Sequence, residues 1–467
     1  MRNIRPIMTV MLLITVVISA LPIVVASPPP APPPPPDWLI TDINYDGKVD
    51  LCDVFSAAIA YGSYPGHPKW NIDADIDDNS EIDLRDYFGI VLNFGKGPIE
   101  RITIVDSTAS LSPPWHFRDN VTIPYPLKKI VVISPSAAEI IRALNRTDRV
   151  VGISGTIRDN PGYWPELCNK TVICEYAHGR WEDPDYARLF ELNETVGGID
   201  AVFHYGTHPA VRTWIQELAE RIDPIPVIGI DCYKFSTMYD DIETLGVIFG
   251  RRKSATDKII AFFEEIMNLV GNRTSGIPDE DKTRTYFAHH SGLYTTSNKK
   301  GTLGQILTKS GCCWNIFHDE PGPPYFDISP IELWYESRNP QMVLKDTRTF
   351  QVPLGFGYHD EAPIQAYLDN IYHSAEVDGW DTCDAVVNGR VYLLSQHLTA
   401  GPKKYIAVLY VAKFGCPELF DGIDPDEYLQ RYLTEFQHLE CADNYPEVGK
   451  LDCGIFMYPY INITANG

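Results

Sequence analysis

Short apolar runs alternate with longer amphipathic segments from about residue 98 to about residue 440 of this 467-residue chain. The runs have the length of buried strands, and the segments between them have helical periodicity. Such alternation is typical of parallel sheets covered by helices, so the pattern predicts an α/β fold. The predicted strands span 129–134, 150–153, 201–204, 227–230, 285–289, 342–344 and 390–394, and the predicted helices include 137–144, 213–221, 303–310 and 404–414.

The longest helical pattern, 252–270, lies in the middle of this region and has an α/β half on either side. We therefore expect two lobes joined by one long helix, within a domain that spans 99–440, and a C-terminal tail at 441–467. The apolar face of the long helix is formed by Ile259, Phe262, Phe263, Ile266 and Val270.

The N-terminus has the composition of an export signal. Arg2 and Arg5 precede an apolar run over residues 7–25, and small residues follow. This order predicts a signal peptide at 1–26, cleaved after Ala26, although a retained membrane anchor is an alternative because the run is near spanning length. Residues 27–37 are predicted to be a stiff Pro-rich linker. We expect an exported protein, extracellular or at the cell surface.

Ten cysteines fit an exported protein, because an even count there favours disulfides. Local pairs are predicted for Cys168 with Cys174 and for Cys441 with Cys453. Cys312 and Cys313 are adjacent and are expected to pair elsewhere. Zinc binding is the alternative interpretation, but the sequence has no Cys-x-x-Cys. Six sequons permit glycosylation, at Asn120, Asn145, Asn169, Asn193, Asn272 and Asn462.

Two acidic loops repeat in register between residues 38 and 97. Oxygen-bearing side chains fall at loop positions 1, 3, 5, 9 and 12, and position 7 would offer its backbone carbonyl. Calcium takes about six to eight oxygen ligands, which a tight loop supplies from alternate residues. Position 6 is Gly47 and then Ser80, so the second loop is expected to be more strained. The predicted calcium ligands are Asp42, Asn44, Asp46, Lys48, Asp50 and Asp53, and then Asp75, Asp77, Asn79, Glu81, Asp83 and Asp86.

Apolar helical residues follow each loop, and aspartate rather than glutamate stands at position 12. This duplicated loop and helix resembles the dockerin family over residues 41–96. The resemblance implies a small all-α module at 38–97 that holds two calcium ions and binds a cohesin-like surface protein through its helix faces. Dockerins usually carry Ser/Thr recognition residues at the start of each helix, where this chain has Val54-Phe55-Ser56 and Tyr87-Phe88-Gly89.

The larger region carries several short motifs in one order. They include an opening hairpin and strand over 102–134, Gly301-Thr302-Leu303, Ser329-Pro-Ile-Glu332, Asn339-Pro340-Gln341 and Gly401-Pro402-Lys403. Together they resemble the class III substrate-binding proteins of ABC importers, which carry ferric siderophores, haem and corrinoids. The resemblance runs over 100–440. It implies two Rossmann-like lobes that close on a ligand around a rigid helix, and an ABC permease as partner.

Permease docking in this family uses one acidic residue on each lobe. Glu332 lies at the second-lobe position, where an ordinary exposed helix acid is the alternative interpretation. Ala187 stands where the first-lobe glutamate is expected, and Glu182, Asp183 and Asp185 lie nearby.

The ligand of such a fold contacts loops at the carboxyl ends of the strands. Aromatic and histidine side chains there suit a flat organic ligand or a metal chelate, and imidazole could bind a metal directly. For any single aromatic residue, core packing is the alternative. A receptor for bare metal ions is the second hypothesis. The predicted ligand-binding residues are Ser134, Ser136, Trp164, Trp181, His204, Tyr205, His289, His290, Tyr294 and His397.

Charge and motif content narrow the function further. The chain has 39 Lys+Arg and 62 Asp+Glu, a net charge of −23, which argues against nucleic acid and against a polybasic membrane binder. Residues 38–97 contribute 4 − 11 = −7 of that charge. The sequence has no Gly-x-Ser-x-Gly, Walker or His-Glu-x-x-His motif, so we predict a non-enzyme: a solute receptor for an iron chelate, haem or corrinoid, tethered by calcium. A surface-assembly protein without transport function and a dockerin-bearing glycoside hydrolase are further alternatives.

Overall fold

Two five-stranded sheets of mainly parallel strands, each covered by helices, form the body of the molecule. The computed structural model describes residues 36–77, 79–106, 119–175, 184–205, 212–251, 254–329, 332, 338–348, 351–358, 360–373, 382–439, 441–442, 451–452 and 455–459. The predicted signal peptide, most of the Pro-rich linker and Trp181 lie outside these residues. No helix among the described residues is long and apolar enough to cross a bilayer.

The N-terminal module, residues 38–97, contains two short helices, each of which starts directly after an acidic loop. These are α1 (Leu51–Ala60) and α2 (Leu84–Leu92), with 3-10 turns at Asp37–Thr41 and Ile72–Ala74. Asp50 and Asp83 cap the two helices by accepting hydrogen bonds from backbone amides of the first turn. Ile43, Val49, Ile82 and Ile90 lie in a small core between the loops and the helices.

An antiparallel hairpin, β1 (Arg101–Asp106) and β2 (Asp119–Pro124), leads into the first lobe. The first-lobe sheet has the strand order β5-β4-β3-β6-β7, and all of its pairings are parallel. In chain order, the strands and helices of the first lobe are β3 (Ile130–Val132), α3 (Pro135–Ala143), β4 (Val150–Ser154), α4 (Gly155–Arg158), β5 (Thr171–Cys174), α5 (Tyr186–Val196), β6 (Ala201–His204), α6 (Arg212–Ile222), β7 (Val227–Gly229) and α7 (Met238–Ile248).

A π-helical turn, Ser254–Ile260, and α8 (Ala261–Thr274) follow, between the two lobes in sequence. The second-lobe sheet has the order β10-β8-β12-β13-β16, and only its edge strand β16 is antiparallel. The strands of this sheet are β8 (Thr283–Ala288), β10 (Cys313–Asn315), β12 (Met342–Thr347), β13 (Val391–Ser395) and β16 (Met457–Pro459). Two further pairs form separate two-stranded sheets: β9 (Thr295–Ser297) with β11 (Tyr325–Asp327), antiparallel, and β14 (Cys441–Ala442) with β15 (Leu451–Asp452), parallel. The helices of the second lobe are α9 (Thr302–Lys309), α10 (Glu361–His373), α11 (Asp384–Val387), α12 (Gln396–Thr399), α13 (Lys404–Gly415) and α14 (Pro425–Arg431).

The alternation of strands and helices therefore produces the predicted α/β fold with parallel sheets. Strand β3 is buried on both faces: Ile130 and Val132 contact one core, and Val131 contacts the other. This explains why its sequence is continuously apolar rather than alternating. Helix α13 is buried along most of its length and packs on α8, where Tyr405 stacks on Phe263 at 4.5 Å between ring centroids.

Two sequence-based predictions differ from the structure. Cys168 carries a free thiol that points to the carbonyl of Pro165 at 3.6 Å, so it is not paired with Cys174. The predicted domain ends at residue 440 and excludes the C-terminal tail. In the structure, strand β16 of that tail pairs with β13 and completes the second-lobe sheet. The side chains of Cys441 and Cys453 lie outside the described part of the chain.

Candidate metal centre

Three potential metal ligands meet at the carboxyl edge of the second-lobe sheet. His289 and His290 directly follow β8, and Asp346 lies near the end of the neighbouring strand β12. One ligand atom from each residue lies within 4.8 Å of the other two. Two imidazoles and a carboxylate are a common donor set for transition metals. Asp346 was not predicted, because the apolar run that marks its strand ends at residue 344.

Asp346 is held by hydrogen bonds on both of its oxygens. Oδ2 lies 3.0 Å from Nδ1 of His290, and Oδ1 accepts a hydrogen bond from the hydroxyl of Thr399 at 2.8 Å. Asp346 is 2% exposed and Thr399 is also buried. Such second-layer bonds fix the orientation of ligating side chains and thereby raise metal affinity.

The turn that carries the two histidines is anchored through its carbonyls. The ammonium of Lys345 donates to the carbonyls of His289 and Gly292, and the amide of Gln351 donates to the carbonyl of His290 at 2.8 Å. Burial lowers the pKa of Lys345 to about 8. Burial, with a contribution from the neighbouring His290, lowers the pKa of His289 to about 4. At neutral pH the His289 ring is therefore uncharged, the state in which imidazole binds metals.

Aromatic residues connect this cluster to the first lobe. The ring of Tyr325 lies 4.8 Å from that of His289, and its hydroxyl accepts a hydrogen bond from the amide of Thr302 at 3.1 Å. The hydroxyl of Thr302 donates to that of Tyr233, which follows β7 of the first lobe, at 3.4 Å. Tyr233 in turn contacts Tyr205 with ring centroids 5.5 Å apart. The cluster therefore lies at the boundary between the lobes, with an aromatic wall beside it.

The remaining predicted cleft residues are not all beside the cluster. Tyr205 and the fully buried His204 lie at the end of β6, on the first-lobe side. Ser136 faces Gly401 of the second lobe, since a side chain at Gly401 would come within 3.1 Å of the Ser136 hydroxyl. Ser134 is buried and caps α3.

Three other predicted cleft residues have packing or hydrogen-bonding roles. Trp164 is buried beneath the guanidinium of Arg142, 4.1 Å from its ring centroid. Nδ1 of His397 accepts a hydrogen bond from the amide of Phe356 at 3.3 Å, and burial lowers the pKa of this histidine to about 4. Tyr294 packs against the outer core of the second lobe.

The two acidic loops of the module share one hydrogen-bond pattern. At position 1, Asp42 accepts from the amides of Asp46 and Gly47, and Asp75 accepts from those of Asn79 and Ser80. Position 12 of each loop, Asp53 and Asp86, also accepts backbone amides from its own loop.

Burial, opposed in part by these amides, raises the pKa of Asp42 to about 7. One carboxyl oxygen from each of Asp75, Asp77 and Asp86 lies within 4.8 Å of the other two. Ser80 has a φ of 67°, a left-handed conformation that suits the glycine found at this position in the first loop. The donor sets of both loops fit a hard cation.

The side chains at loop position 7, Lys48 and Glu81, are not expected to be calcium ligands. The ammonium of Lys48 pairs with Asp46 at 3.5 Å and with Asp50, and Glu81 is exposed. At position 7 the backbone carbonyl, and not the side chain, would serve as the calcium ligand, as the loop pattern requires.

The module is packed on the first lobe through its first loop. Tyr45 is 8% exposed, and the guanidinium groups of Arg146 and Arg251 lie 4.6 and 5.5 Å from its ring centroid. Arg251 also forms an ion pair with Asp73. A cavity of about 340 Å³ lies beside this contact.

The outward faces of α1 and α2 are apolar and exposed. Phe55 is 63% exposed, Phe88 is 62% exposed and Leu92 is 80% exposed. Leu51, Phe55 and Ile59 recur at helical spacing on α1, as Leu84, Phe88 and Leu92 do on α2. We call these six residues the module face. Contiguous exposed apolar residues of this kind mark interaction sites.

Glu332 is exposed, and its carboxylate accepts a hydrogen bond from the amide of Ser329 at 2.8 Å. On the first lobe, Ala187 lies in the first turn of α5, and Asp185 caps that helix by accepting from the amide of Arg188. Glu182 and Asp183 lie outside the described residues.

No family model and no curated protein matches the sequence, but solved structures match the fold. The TroA-like periplasmic binding protein FepB from Veillonella parvula has a TM-score of 0.57 and 20% identity, covering 77% of this chain and 100% of its own. The molybdate-bound periplasmic binding protein MolA of a Haemophilus influenzae ABC transporter has a TM-score of 0.54 and 17% identity, with coverages of 74% and 100%.

CeuE from Helicobacter pylori, in a nickel–histidine complex, has a TM-score of 0.53 and 19% identity, with coverages of 73% and 96%. Identities this low show the fold alone. All three matches cover nearly the whole of the solved protein, so the likeness extends over both lobes. The chain therefore has the α/β fold of the TroA-like, class III periplasmic binding proteins of ABC transporters.

Proposed function

We propose that this protein is the exported solute receptor of an ABC importer and that it captures a metal-centred ligand between its lobes. The observation that supports this most is the cluster of His289, His290 and Asp346 at the lobe boundary. In this proposal the protein supplies imidazole and carboxylate ligands to a metal whose remaining positions are filled by a chelator or a tetrapyrrole. The ligand class is then an iron chelate, haem or a corrinoid.

The surroundings of the cluster support such a ligand. The ring of Tyr325 offers a flat apolar surface beside His289, which suits an organic chelator or a macrocycle. The second-layer bonds from Thr399 and Lys345 hold the ligating groups in place before the ligand arrives, which lowers the entropic cost of binding.

A receptor for bare metal ions is the second candidate. The convergence of three donors within 4.8 Å favours it, because a chelated metal needs fewer ligands from the protein. The structural matches include a nickel–histidine complex and a molybdate complex, so this fold accommodates metal ligands of different chemistry.

The N-terminal module is proposed to be a calcium-dependent tether of the dockerin type. Its two loops would each hold one calcium ion, through Asp42, Asn44, Asp46, Asp50 and Asp53 in the first and through the equivalent residues of the second. The exposed module face would bind a cohesin-like protein at the cell surface. The acidic charge of the module, −7 over residues 38–97, would be partly neutralised by the bound ions.

Permease docking is proposed to use Glu332 on the second lobe. On the first lobe Asp185 would replace the glutamate that is missing at residue 187. If neither acid contributes, the protein would be a surface-assembly component without transport function.

Native mass spectrometry of the full chain tests the receptor proposal. The protein would be incubated separately with haemin, cyanocobalamin, a ferric catecholate complex and nickel chloride. We expect a 1:1 complex with one metal-centred organic ligand, which His290→Ala weakens. His318→Ala is the matched control, because His318 stacks on Trp314 in the same lobe, outside the cluster. Binding of nickel alone would favour the second candidate, and binding of none would contradict the proposal.

Calcium titration of the full chain tests the module. Two ions should bind to the wild-type protein, and an Asp42→Ala, Asp75→Ala double variant should lose both. A variant that still binds two ions would contradict the loop assignment.

A further inference from the structure

Three cysteines meet on the side of the second lobe remote from the metal cluster. Cys312 and Cys313 lie at the start of β10, and Cys416 lies at the end of α13. The sulfur of Cys312 is 3.5 Å from the carbonyl of Ala412, and the sulfur of Cys416 is 3.8 Å from the carbonyl of Cys312. Residues that are 104 positions apart in sequence are thus brought side by side.

The local backbone is shaped around these thiols. A side chain at Gly415 would come within 2.4 Å of the Cys313 sulfur and 3.2 Å of the Cys312 sulfur, so only glycine fits between them. The carbonyl of Ala412 accepts hydrogen bonds from both the Cys312 thiol, at 3.5 Å, and the Cys416 amide, at 3.0 Å, whereas the Cys313 thiol donates to the carbonyl of Val411 at 3.7 Å. Arg390 holds the chain end of α13 in place by donating to the carbonyls of Phe414 and Gly415, each at 2.9 Å.

Backbone geometry selects one pair among the three. Adjacent residues have Cα atoms about 3.8 Å apart across a trans peptide. Ordinary disulfides need about 4.4–6.8 Å, so Cys312 and Cys313 are too close to pair with each other. Cys312 shares the Ala412 carbonyl with the Cys416 amide and accepts a hydrogen bond from the Cys416 thiol at its own carbonyl, whereas the Cys313 thiol points to Val411, so Cys312 is the partner for Cys416.

All three cysteines carry free thiols in this structure. We propose that Cys312 and Cys416 are a redox-active pair that is oxidised to a disulfide after export, while Cys313 stays reduced beside them. The proposal rests on the predicted export, because disulfides persist in oxidising compartments. It does not depend on what the cleft binds.

The chemistry is thiol–disulfide exchange with an exported disulfide donor. The Cys416 thiolate attacks one sulfur of the donor, and the donor's other sulfur leaves as a thiolate. The Cys312 thiolate then attacks the Cys416 sulfur, which forms the intramolecular disulfide and releases the second donor sulfur. The two protein thiols lose two electrons and two protons, and the donor disulfide gains them as a dithiol.

Cys416 is suited to react first. It is half-buried, whereas Cys312 and Cys313 are buried. The neighbouring Cys312 side chain lowers the pKa of Cys416, with further contributions from Thr283 and Arg390. A half-buried thiol with a lowered pKa is the reactive kind of cysteine. The bond would join an edge strand of the second lobe to the helix that packs on α8.

Peptide mapping tests the proposal. The full chain would be exported through an oxidising compartment, purified without reductant, denatured in iodoacetamide and digested for mass spectrometry. We expect a cross-linked peptide that contains Cys312 and Cys416. Cys312→Ser should abolish it, and the matched Cys313→Ser should retain it. Reduction should lower the unfolding temperature of wild type and of Cys313→Ser, but not that of Cys312→Ser.

Alkylation of Cys416 in the unreduced wild-type protein would overturn the proposal, even if a serine variant failed to fold. Loss of the cross-link in Cys313→Ser instead of Cys312→Ser would also overturn it. Either result would leave the metal-binding proposal intact, because ligand binding is measured separately on the same wild-type preparation.

Discussion

Docking of the N-terminal module on the first lobe depends on Tyr45, and Tyr45→Ala should weaken it. A buried tyrosine removes about 150–250 Å² from water, which is about 4–6 kcal/mol at about 25 cal/mol per Å². Replacing a buried aromatic residue by alanine costs about 3–5 kcal/mol in measured cases. Tyr45 also lies against Gly250, where a side chain would come within 1.9 Å of its ring, so the site is closely fitted.

Hydrogen-exchange mass spectrometry measures this effect locally. Amides of the first loop and of the turn at residues 250–251 should lose protection in Tyr45→Ala, whereas amides of β12 should not. Tyr64→Ala is the matched control, because Tyr64 is in the same module and is 57% exposed. Equal protection in Tyr45→Ala and Tyr64→Ala would refute the idea that this ring holds the module on the lobe.

Three further predictions concern other contacts. Lys403→Met should destabilise the protein by about 3–5 kcal/mol in urea unfolding, because it leaves the buried carboxylate of Glu139 without its cation; an unchanged midpoint would contradict this. Lys345→Met should weaken metal-ligand binding about 10–100-fold in calorimetry, since it releases the turn that carries the histidines, and Lys282→Met on the surface should not. Phe55→Asp should abolish binding to a cohesin-like partner in a pull-down without lowering the unfolding temperature, since this side chain of the module face is exposed.

The sheet strands were predictable because they are apolar on both faces. The predicted strand 201–204 is β6 as observed, and the predicted 390–394 is shifted by one residue from β13. Strand β12 was predicted to stop at residue 344, although it continues to Thr347, because Lys345 and Asp346 are charged. Their burial depends on partners in distant parts of the chain, which local periodicity does not contain.

The same reason limited the prediction of the site. His289 and His290 were found because they lie at the end of a predicted apolar strand, 285–289. Tyr325 begins the short strand β11 and lies beside His289, and Tyr233 contacts Thr302 across the lobes; long-range contacts set both positions, so neither was evident from the sequence. Strand β16 was missed because its partner β13 lies more than sixty residues earlier. Their pairing is visible in the sheet of the folded protein and not in the local sequence.

The central claim is that a metal-centred ligand binds at His289, His290 and Asp346 between the lobes. Anomalous diffraction from a crystal of the full chain soaked or grown with its 1:1 ligand tests this most directly. The account predicts one strong peak within coordination distance of an imidazole nitrogen of this cluster, and loss of the peak in a His290→Ala, Asp346→Asn variant. A ligand peak elsewhere in the molecule, or one that persists in the double variant, would contradict it.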